Sequence, residues 1–393
     1  MKVVIAHNRY SSAQPSGENV IVDAEIAQLS AAGVTVVPFL RSSDEIEHMS
    51  PAGRAALPMM PIWAPSVQRE LRELLSSERP DVFHLHNPYP LLSPWVVRTA
   101  HDAGVPVVQT IHNYRHVCVA ATFLRDGHVC HDCVGRRIAT PAVRYSCYRG
   151  SRAQSVVMAT SLAVHRGTWQ SVDRFIALTG RIAEFLRDFG VPDDRITVKP
   201  NAVTDPGEPP AAGTGSGALF LGRLSAEKGL DLLLEAWQRH PEGSVGRLRI
   251  VGDGPLRDMA RAAAASRPDV EYLGGTDNAG AQAAIRSAAL VVVPSTWDDV
   301  LPTVIIESLA NGRPVLGTAV GGIPYLVGDR TGDSAGWLVP PTADALAAAL
   351  PTALADAPAR TAAARARYLA MFSPTVVLAT LLGVYDELAS TRR

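Results

Sequence analysis

Ala218-Leu219-Phe220-Leu221-Gly222-Arg223-Leu224-Ser225-Ala226-Glu227-Lys228-Gly229-Leu230-Asp231-Leu232-Leu233-Leu234-Glu235-Ala236-Trp237 decides how this chain folds. An apolar run stops at a glycine, and a loop follows with two cations. Leu230, Leu233, Leu234 and Trp237 then recur at the i, i+3, i+4, i+7 spacing of a helix packed on a sheet. This is one strand–loop–helix unit, and its continuous apolar strand points to a parallel sheet covered on both faces. Downstream the alternation continues, with strands predicted at 248–251, 270–273, 290–294, 314–318 and 336–339. Upstream, strands predicted at 3–6, 34–39, 82–85, 105–110 and 174–178 alternate with helical stretches such as 19–32 and 66–77. A Pro/Gly/Ser-rich stretch at 204–217 separates the two series and reads as a linker. The fold class is therefore α/β. Two doubly wound domains are predicted, 1–203 and 218–373, with a closing helix over 374–393. In such sheets ligands sit beyond the carboxyl ends of the strands, so the expected site is a cleft between the domains.

The chain has 393 residues, enough for two or three domains. Lys plus Arg number 37 and Asp plus Glu 38, so the net charge of −1 excludes a broadly basic nucleic-acid coat. No nucleic-acid partner is expected. The longest uninterrupted apolar runs, such as 288–293, fall far short of the roughly 20 residues that span a bilayer. The first residues turn polar at His7-Asn8-Arg9, too early for a secretory h-region, so a cytoplasmic location is expected. Only three lysines occur, Lys2, Lys199 and Lys228; the remaining 34 of the 37 basic residues are arginine. A lysine that persists in so arginine-biased a chain marks a place where a compact, mobile charge differs from a planar fork.

Arg223 and Lys228 stand beside a helix start, where free backbone N–H groups and the helix dipole favour an anion such as a diphosphate. The plain alternative is a pair of solvated loop charges. A second segment, Pro294-Ser295-Thr296-Trp297-Asp298-Asp299-Val300-Leu301-Pro302-Thr303-Val304-Ile305-Ile306-Glu307-Ser308-Leu309-Ala310-Asn311-Gly312-Arg313-Pro314-Val315, has the same logic. Pro302 suits a first helical turn, Gly312 the left-handed position past the end, and Pro314 prevents continuation. Glu307 lies one turn below Thr303, on the same face. Asp299 and Glu307 are thus placed to bind polyol hydroxyls while the helix start faces a phosphate. Alternatively, the aspartates only complement the helix dipole and Glu307 is a surface residue.

Together these segments resemble the retaining glycosyltransferases of family 4, which have the two-domain GT-B fold. The resemblance rests on Gly222, Arg223, Leu224, Glu227, Lys228 and Gly229; on Asp299 and Glu307, with Ala310, Gly312, Pro314 and Val315 following; and on Gly321-Gly322-Ile323-Pro324. In the first half it rests on Pro15-Ser16-Gly17-Glu18-Asn19, on Val108-Gln109-Thr110-Ile111-His112-Asn113-Tyr114 and on Lys199-Pro200-Asn201-Ala202-Val203. It implies a hexosyltransferase that moves a sugar from a nucleotide-diphosphate donor, a UDP-sugar first among the candidates, to a hydroxyl acceptor. The implied roles are as follows: Arg223 and Lys228 hold the diphosphate, Glu307 the ribose, Asp299 and the amides after it the sugar. Thr303 opens the helix that faces the phosphate, Gly17 lets the first loop approach it, and His112 reaches the transferred sugar. Asp299 is a methylene shorter than the family's usual Glu, Tyr325 stands where Glu is frequent, and Thr204 where Asp is frequent. These departures bear on which sugar is bound. A sugar-nucleotide epimerase and a non-catalytic nucleotide-sugar sensor are the rival readings.

The chain contains no Asp-x-Asp, so no catalytic cofactor is expected and the cations themselves must neutralise the leaving diphosphate. Gly252-Asp253-Gly254 lacks the third glycine of a dinucleotide turn, with Arg257 in its place, and reads as a loop near the base. No P-loop occurs. Residues 112–172 look like an insertion. They hold all four cysteines, Cys118, Cys130, Cys133 and Cys147, which form either a structural zinc site or a set of reduced, part-buried thiols. They also hold Arg115, Arg125, Arg136, Arg137, Arg144, Arg149, Arg152 and Arg166, either a solvated face or one that meets an anionic acceptor or a membrane surface. His84 and His86 alternate on a predicted strand, so opposite faces are expected for them and they make a poor metal pair.

Overall fold

The computed structural model describes residues 1–13, 16–328 and 334–390. Among the described residues, eight strands precede the linker: β1 Lys2–Arg9, β2 Thr35–Ser42, β3 Val82–Leu85, β4 Val107–Ile111, β5 Leu124–Arg125, β6 His128–Val129, β7 Arg174–Ala177 and β8 Ile196–Val198. Six follow it: β9 Ala218–Leu221, β10 Leu248–Val251, β11 Val270–Gly274, β12 Leu290–Val293, β13 Val315–Thr318 and β14 Gly336–Val339.

The chain divides into two compact units. One holds Met1–Phe123, Cys130–Lys199 and the segment from Leu378; the other holds Leu124–Val129 and Pro200–Val377. The sheet of the first runs β2-β1-β3-β4-β7-β8 and that of the second β11-β10-β9-β12-β13-β14, every neighbouring pair parallel. Both orders reverse direction beside the first strand of the unit, between β1 and β3 and between β9 and β12. At such a switch the loops diverge and leave a crevice. This is the doubly wound architecture the sequence predicts.

In the second unit, Leu230, Leu233, Leu234 and Trp237 of the helix Leu230–Gln238 are buried with Phe220, Ile250 and Val292 in one core. In the first, Val3, Ile5, Val22, Leu29, Val82 and Ile176 pack with Leu381, Val384, Tyr385 and Leu388 of the last helix, Pro374–Ser390. The final helix thus belongs to the core of the N-terminal domain. The stretch Ala343–Ser390 contains an 18-residue window of mean hydropathy 1.6, apolar and long enough to cross a membrane by length and composition, and a core helix meets the same test. Its two helices are separate, breaking at Phe372 and Ser373. The linker is laid against the second unit, with Ser216 donating its amide to Ser287 and Asp205 paired with Arg365 at 2.8 Å.

Candidate active site

Each switch point carries a cluster of polar side chains. In the second unit, β9 ends at Leu221 and a short turn, Ala226–Lys228, precedes the helix. Gly229 sits at φ +72°, and a Cβ there would fall 1.9 Å from the Pro294 carbonyl oxygen, so only glycine lets this loop lie against the exit of β12. The Thr296 amide donates to the Glu227 carbonyl at 3.0 Å and fastens the two loops. Lys228 is thereby brought to the loop after β12. Its Nζ lies 2.5 Å from Asp299 Oδ2 and 5.6 Å from the centre of the Trp297 ring. Asp299 is fixed from behind: its carbonyl accepts from the Gly322 amide at 2.7 Å. A Cβ on Gly321, at φ +56°, would lie 2.4 Å from that same oxygen.

The helix Thr303–Ala310 starts directly after this loop and aims its first-turn amides at it. Glu307 accepts a hydrogen bond from Thr303, one turn away, and burial raises its carboxyl above the usual range despite that bond. Gly312 takes the predicted left-handed position at φ +64°. Arg223 is exposed on the same loop as Lys228 and pairs with no carboxylate among the described residues. The structure therefore joins Lys228 to Asp299 and Thr303 to Glu307, on two loops that leave adjacent strands.

In the first unit, His112 follows β4 directly. Its Nε2 faces His86 Nδ1 at 2.9 Å, the two rings stacked. His86 Nε2 faces Glu25 Oε1 at 3.3 Å, and the other Glu25 oxygen accepts from Lys199 Nζ at 2.8 Å. Alternation along a strand places residues two apart on one face, and His86, one residue past the strand end at Leu85, keeps to it. The expectation that the two histidines face opposite ways is overturned: their ring centres lie 4.3 Å apart, and His84 Nδ1 is 3.4 Å from the same Glu25 oxygen. His84 also bonds the Tyr385 hydroxyl at 2.6 Å and Thr110 at 2.8 Å. Burial opposes ionisation of Glu25, but Lys199 and the two imidazoles hold its carboxyl well below the usual range. Burial, with His86 beside it, lowers His112 well below the ordinary histidine value. Ligand atoms of Glu25, His84 and His86 lie within 4.8 Å of one another, a spacing that suits a metal ion; the cation the fold supplies there is Lys199.

Glu18 completes this cluster, and the sequence reading assigned it no role. Its carboxyl is buried, takes a hydrogen bond from the Tyr10 hydroxyl at 3.3 Å, and is pushed up to about 7 by burial. With His86, His112 and Arg115 it lines a small cavity of about 20 Å³. Perturbed carboxyls of this kind cluster at functional sites. The available signal was an acidic residue one position after Gly17. For Glu25 the signal was indirect, in that one of only three lysines lies at 199. Gly17 opens the helix Gly17–Ala31, and a Cβ there would meet nothing within 4 Å, so the space beside it is open. Pro15 of the same motif lies outside the described residues.

Two family models match the chain. The glycosyl transferase 4-like domain covers residues 16–202, and glycosyl transferases group 1 covers residues 215–356. The phosphatidyl-myo-inositol mannosyltransferase of Mycobacterium leprae is 26% identical over 340 residues, 84% of this chain and 79% of that protein. The alpha-D-kanosaminyltransferase of Streptomyces kanamyceticus is 28% identical over 259 residues, 61% of this chain and 58% of that one. The chain spans less than two thirds of the length of several of the curated relatives it matches, from 20% to 58%. Among solved structures, Anabaena Alr3699/HepE in complex with UDP superposes with a TM-score of 0.65 at 16% identity, covering 98% of this chain and 100% of the other.

Proposed function

Because the chain belongs to the group 1 glycosyltransferases, with their GT-B fold, we propose that it is a retaining, metal-independent hexosyltransferase. It takes a sugar from a nucleotide-diphosphate donor, a UDP-sugar first among the candidates, and passes it to a hydroxyl acceptor. The observation that carries this reading is the Lys228–Asp299 pair. It unites two motifs 71 residues apart in the crevice of one doubly wound sheet, beside a helix N-terminus and Glu307. The occurrence of UDP in the Anabaena complex supports the choice of donor.

Cleavage of the sugar–diphosphate bond leaves charge on a phosphate oxygen. Arg223, Lys228 and the first-turn amides of Thr303–Ala310 supply positive charge to that oxygen as it develops. Glu307 binds the ribose hydroxyls and Asp299 orients both Lys228 and the sugar. The acceptor hydroxyl attacks the face the diphosphate leaves and passes its proton to the departing phosphate oxygen, so the anomeric configuration is kept without a protein nucleophile. His112 receives a hydroxyl of the transferred sugar. When His86 carries its single proton on Nε2, toward Glu25, its Nδ1 accepts from His112 Nε2 and leaves His112 Nδ1 bare as an acceptor. The enzyme works in the cytoplasm, and the exposed arginines of the insertion hold it at an anionic membrane surface.

The test is a thermal-shift screen against UDP, GDP, ADP and dTDP and their sugars, followed by product analysis. A ligand bound only by the folded state raises the melting point. Transfer or slow hydrolysis that keeps the donor's anomeric configuration is the expected result. An isomerised donor, or tight binding with no turnover, would replace the reading.

A further inference from the structure

Lys199 is one of three lysines among 37 basic residues, and it is 2% exposed. It follows β8, and its Nζ donates to Glu25 Oε2 at 2.8 Å. Glu25, in the helix Gly17–Ala31, is buried as well. Taking an ammonium and a carboxylate out of water is costly for each ion, and apolar residues of similar volume often serve stability as well or better. Stability alone does not account for the pair.

Its neighbours are imidazoles. Glu25 Oε1 faces His86 Nε2 at 3.3 Å and His84 Nδ1 at 3.4 Å. His84 is engaged on both nitrogens, by the Tyr385 hydroxyl at 2.6 Å and by Thr110 Oγ1 at 2.8 Å. Neither Glu25 Oε1 nor His86 Nε2 has a hydrogen-bond partner outside this cluster. A carboxylate oxygen only accepts, so a bare nitrogen there would set two lone pairs against each other in a buried space; His86 Nε2 therefore carries the proton. Lys199 already neutralises the carboxylate, and a second proton on His86 would leave a buried charge without a counter-charge. His86 Nδ1 is thus bare, and it accepts from His112 Nε2 at 2.9 Å. Neutral His112 has a single N–H, spent on this bond, so its Nδ1 is an acceptor, and no group among the described residues bonds it. Burial keeps His112 neutral, lowering it well below the ordinary histidine value. Along the series Lys199, Glu25, His86, His112, only the last is part-buried, and it lines the small cavity shared with Glu18 and Arg115.

We propose that Lys199 and Glu25 are positioning residues: acting through His86, they hold His112 in the tautomer with a bare Nδ1, and so select donor sugars that carry a free hydroxyl facing that atom. The inference rests on the reading of His112 as the group that receives a hydroxyl of the transferred sugar. A hydroxyl donates to Nδ1, whereas a deoxy or O-methyl sugar leaves the acceptor unpaired once water is excluded. A site built around such a bond rejects the analogue lacking it far more strongly than an apolar pocket rejects a missing methylene.

Long-range proton–nitrogen correlation NMR of the full-length protein, labelled with isotopic histidine, reads the tautomers directly, and His112→Gln identifies the resonance. Wild type is expected to show His112 protonated on Nε2 and bare on Nδ1. In the double variant Glu25→Gln, Lys199→Met the amide can either accept from His86 or donate to it, so the single tautomer should give way to a mixture. With the UDP-sugar turned over fastest and its monodeoxy analogues, wild type should prefer the hydroxylated donor by at least ~100-fold in kcat/KM at one position, and the double variant by less than ~10-fold. A purely structural pair would lower Tm or kcat and leave that ratio alone. His112 protonated on Nδ1 in wild type, an unchanged tautomer or unchanged ratio in the double variant, or one equivalent of divalent metal bound at Glu25, His84 and His86 overturns the proposal. The spectra need no substrate, so a wrong tautomer is distinguishable from an absence of sugar transfer.

Discussion

Lys228 and Asp299 meet at 2.5 Å although 71 residues separate them, because β9 and β12 lie side by side and their exit loops are fastened backbone to backbone. Asp299 is largely buried, whereas Lys228 is about a quarter exposed. The ammonium is therefore held on one side and offered on the other. Lys228→Ala is expected to lower kcat by at least ~100-fold, as for loss of one group that stabilises developing charge. The stability cost is expected to stay near 1 kcal/mol, the range of part-exposed pairs. Turnover of a donor and a thermal melt check both halves; near-normal transfer would remove Lys228 from the mechanism.

Gly229→Ala separates the loop from the ion pair it presents. A methyl group 1.9 Å from the Pro294 carbonyl oxygen, on a residue at φ +72°, cannot be accommodated without moving one of the two loops. A loss of about 2–4 kcal/mol is expected, with weaker nucleotide binding. Urea unfolding and calorimetric titration with UDP measure the two. Unchanged affinity would show that the loop contact does not place Lys228.

Glu25→Gln strands the buried ammonium of Lys199, and removing one partner of a buried pair costs about 3–5 kcal/mol. The double variant Glu25→Gln, Lys199→Met is expected to recover much of that loss. Chemical denaturation of the single and double variants decides it. Additive losses would mean that the two groups do not depend on each other.

Glu18 makes stability pH-dependent in the direction opposite to a salt-bridged acid. Its folded value of about 7 stands above the ordinary 4.5, so the folded state binds the proton more tightly than the unfolded chain. The stability it contributes is present below pH 4.5 and is lost as pH rises through 7, by up to about 3 kcal/mol. Glu18→Gln should therefore gain stability relative to wild type between pH 5 and pH 8. Denaturant midpoints at the two pH values provide the comparison, and an equal difference at both would refute it.

The exposed side chains of Arg136, Arg137, Arg144, Arg149 and Arg152 should bind vesicles containing anionic lipid, and binding should fall steeply with salt. Cosedimentation with neutral and anionic vesicles reads this directly. Equal recovery with both would leave the arginines as a solvated face.

Much of the fold was legible because its strands are short apolar runs bounded by glycine, proline or charge. Strands at 82–85, 248–251 and 336–339 begin and end where the sequence places them. The second unit's site was legible too, since its residues are grouped in two segments and the turn chemistry of Gly229 and Gly312 is local. The first unit's cluster was not. Glu25 lies inside a helix, His86 one residue past a strand, and Lys199 between strand and linker; only the stacking of β1, β3 and β4 brings them into register. Residues two apart on a strand share a face, so the opposed reading of His84 and His86 misapplied the period-2 pattern, which in fact sets their rings side by side. Strand β8 went unread because Ile196-Thr197-Val198 is short and only partly buried at the sheet edge.

The return of the C-terminal helix to the first domain limits how this protein can be dissected. A fragment ending at the linker would forfeit Leu381, Val384, Tyr385 and Leu388, and with them the hydroxyl that steadies His84. Bacterial expression of residues 1–203 alone should yield inclusion bodies, whereas a circular permutant that fuses 374–393 ahead of Met1 should remain in the supernatant.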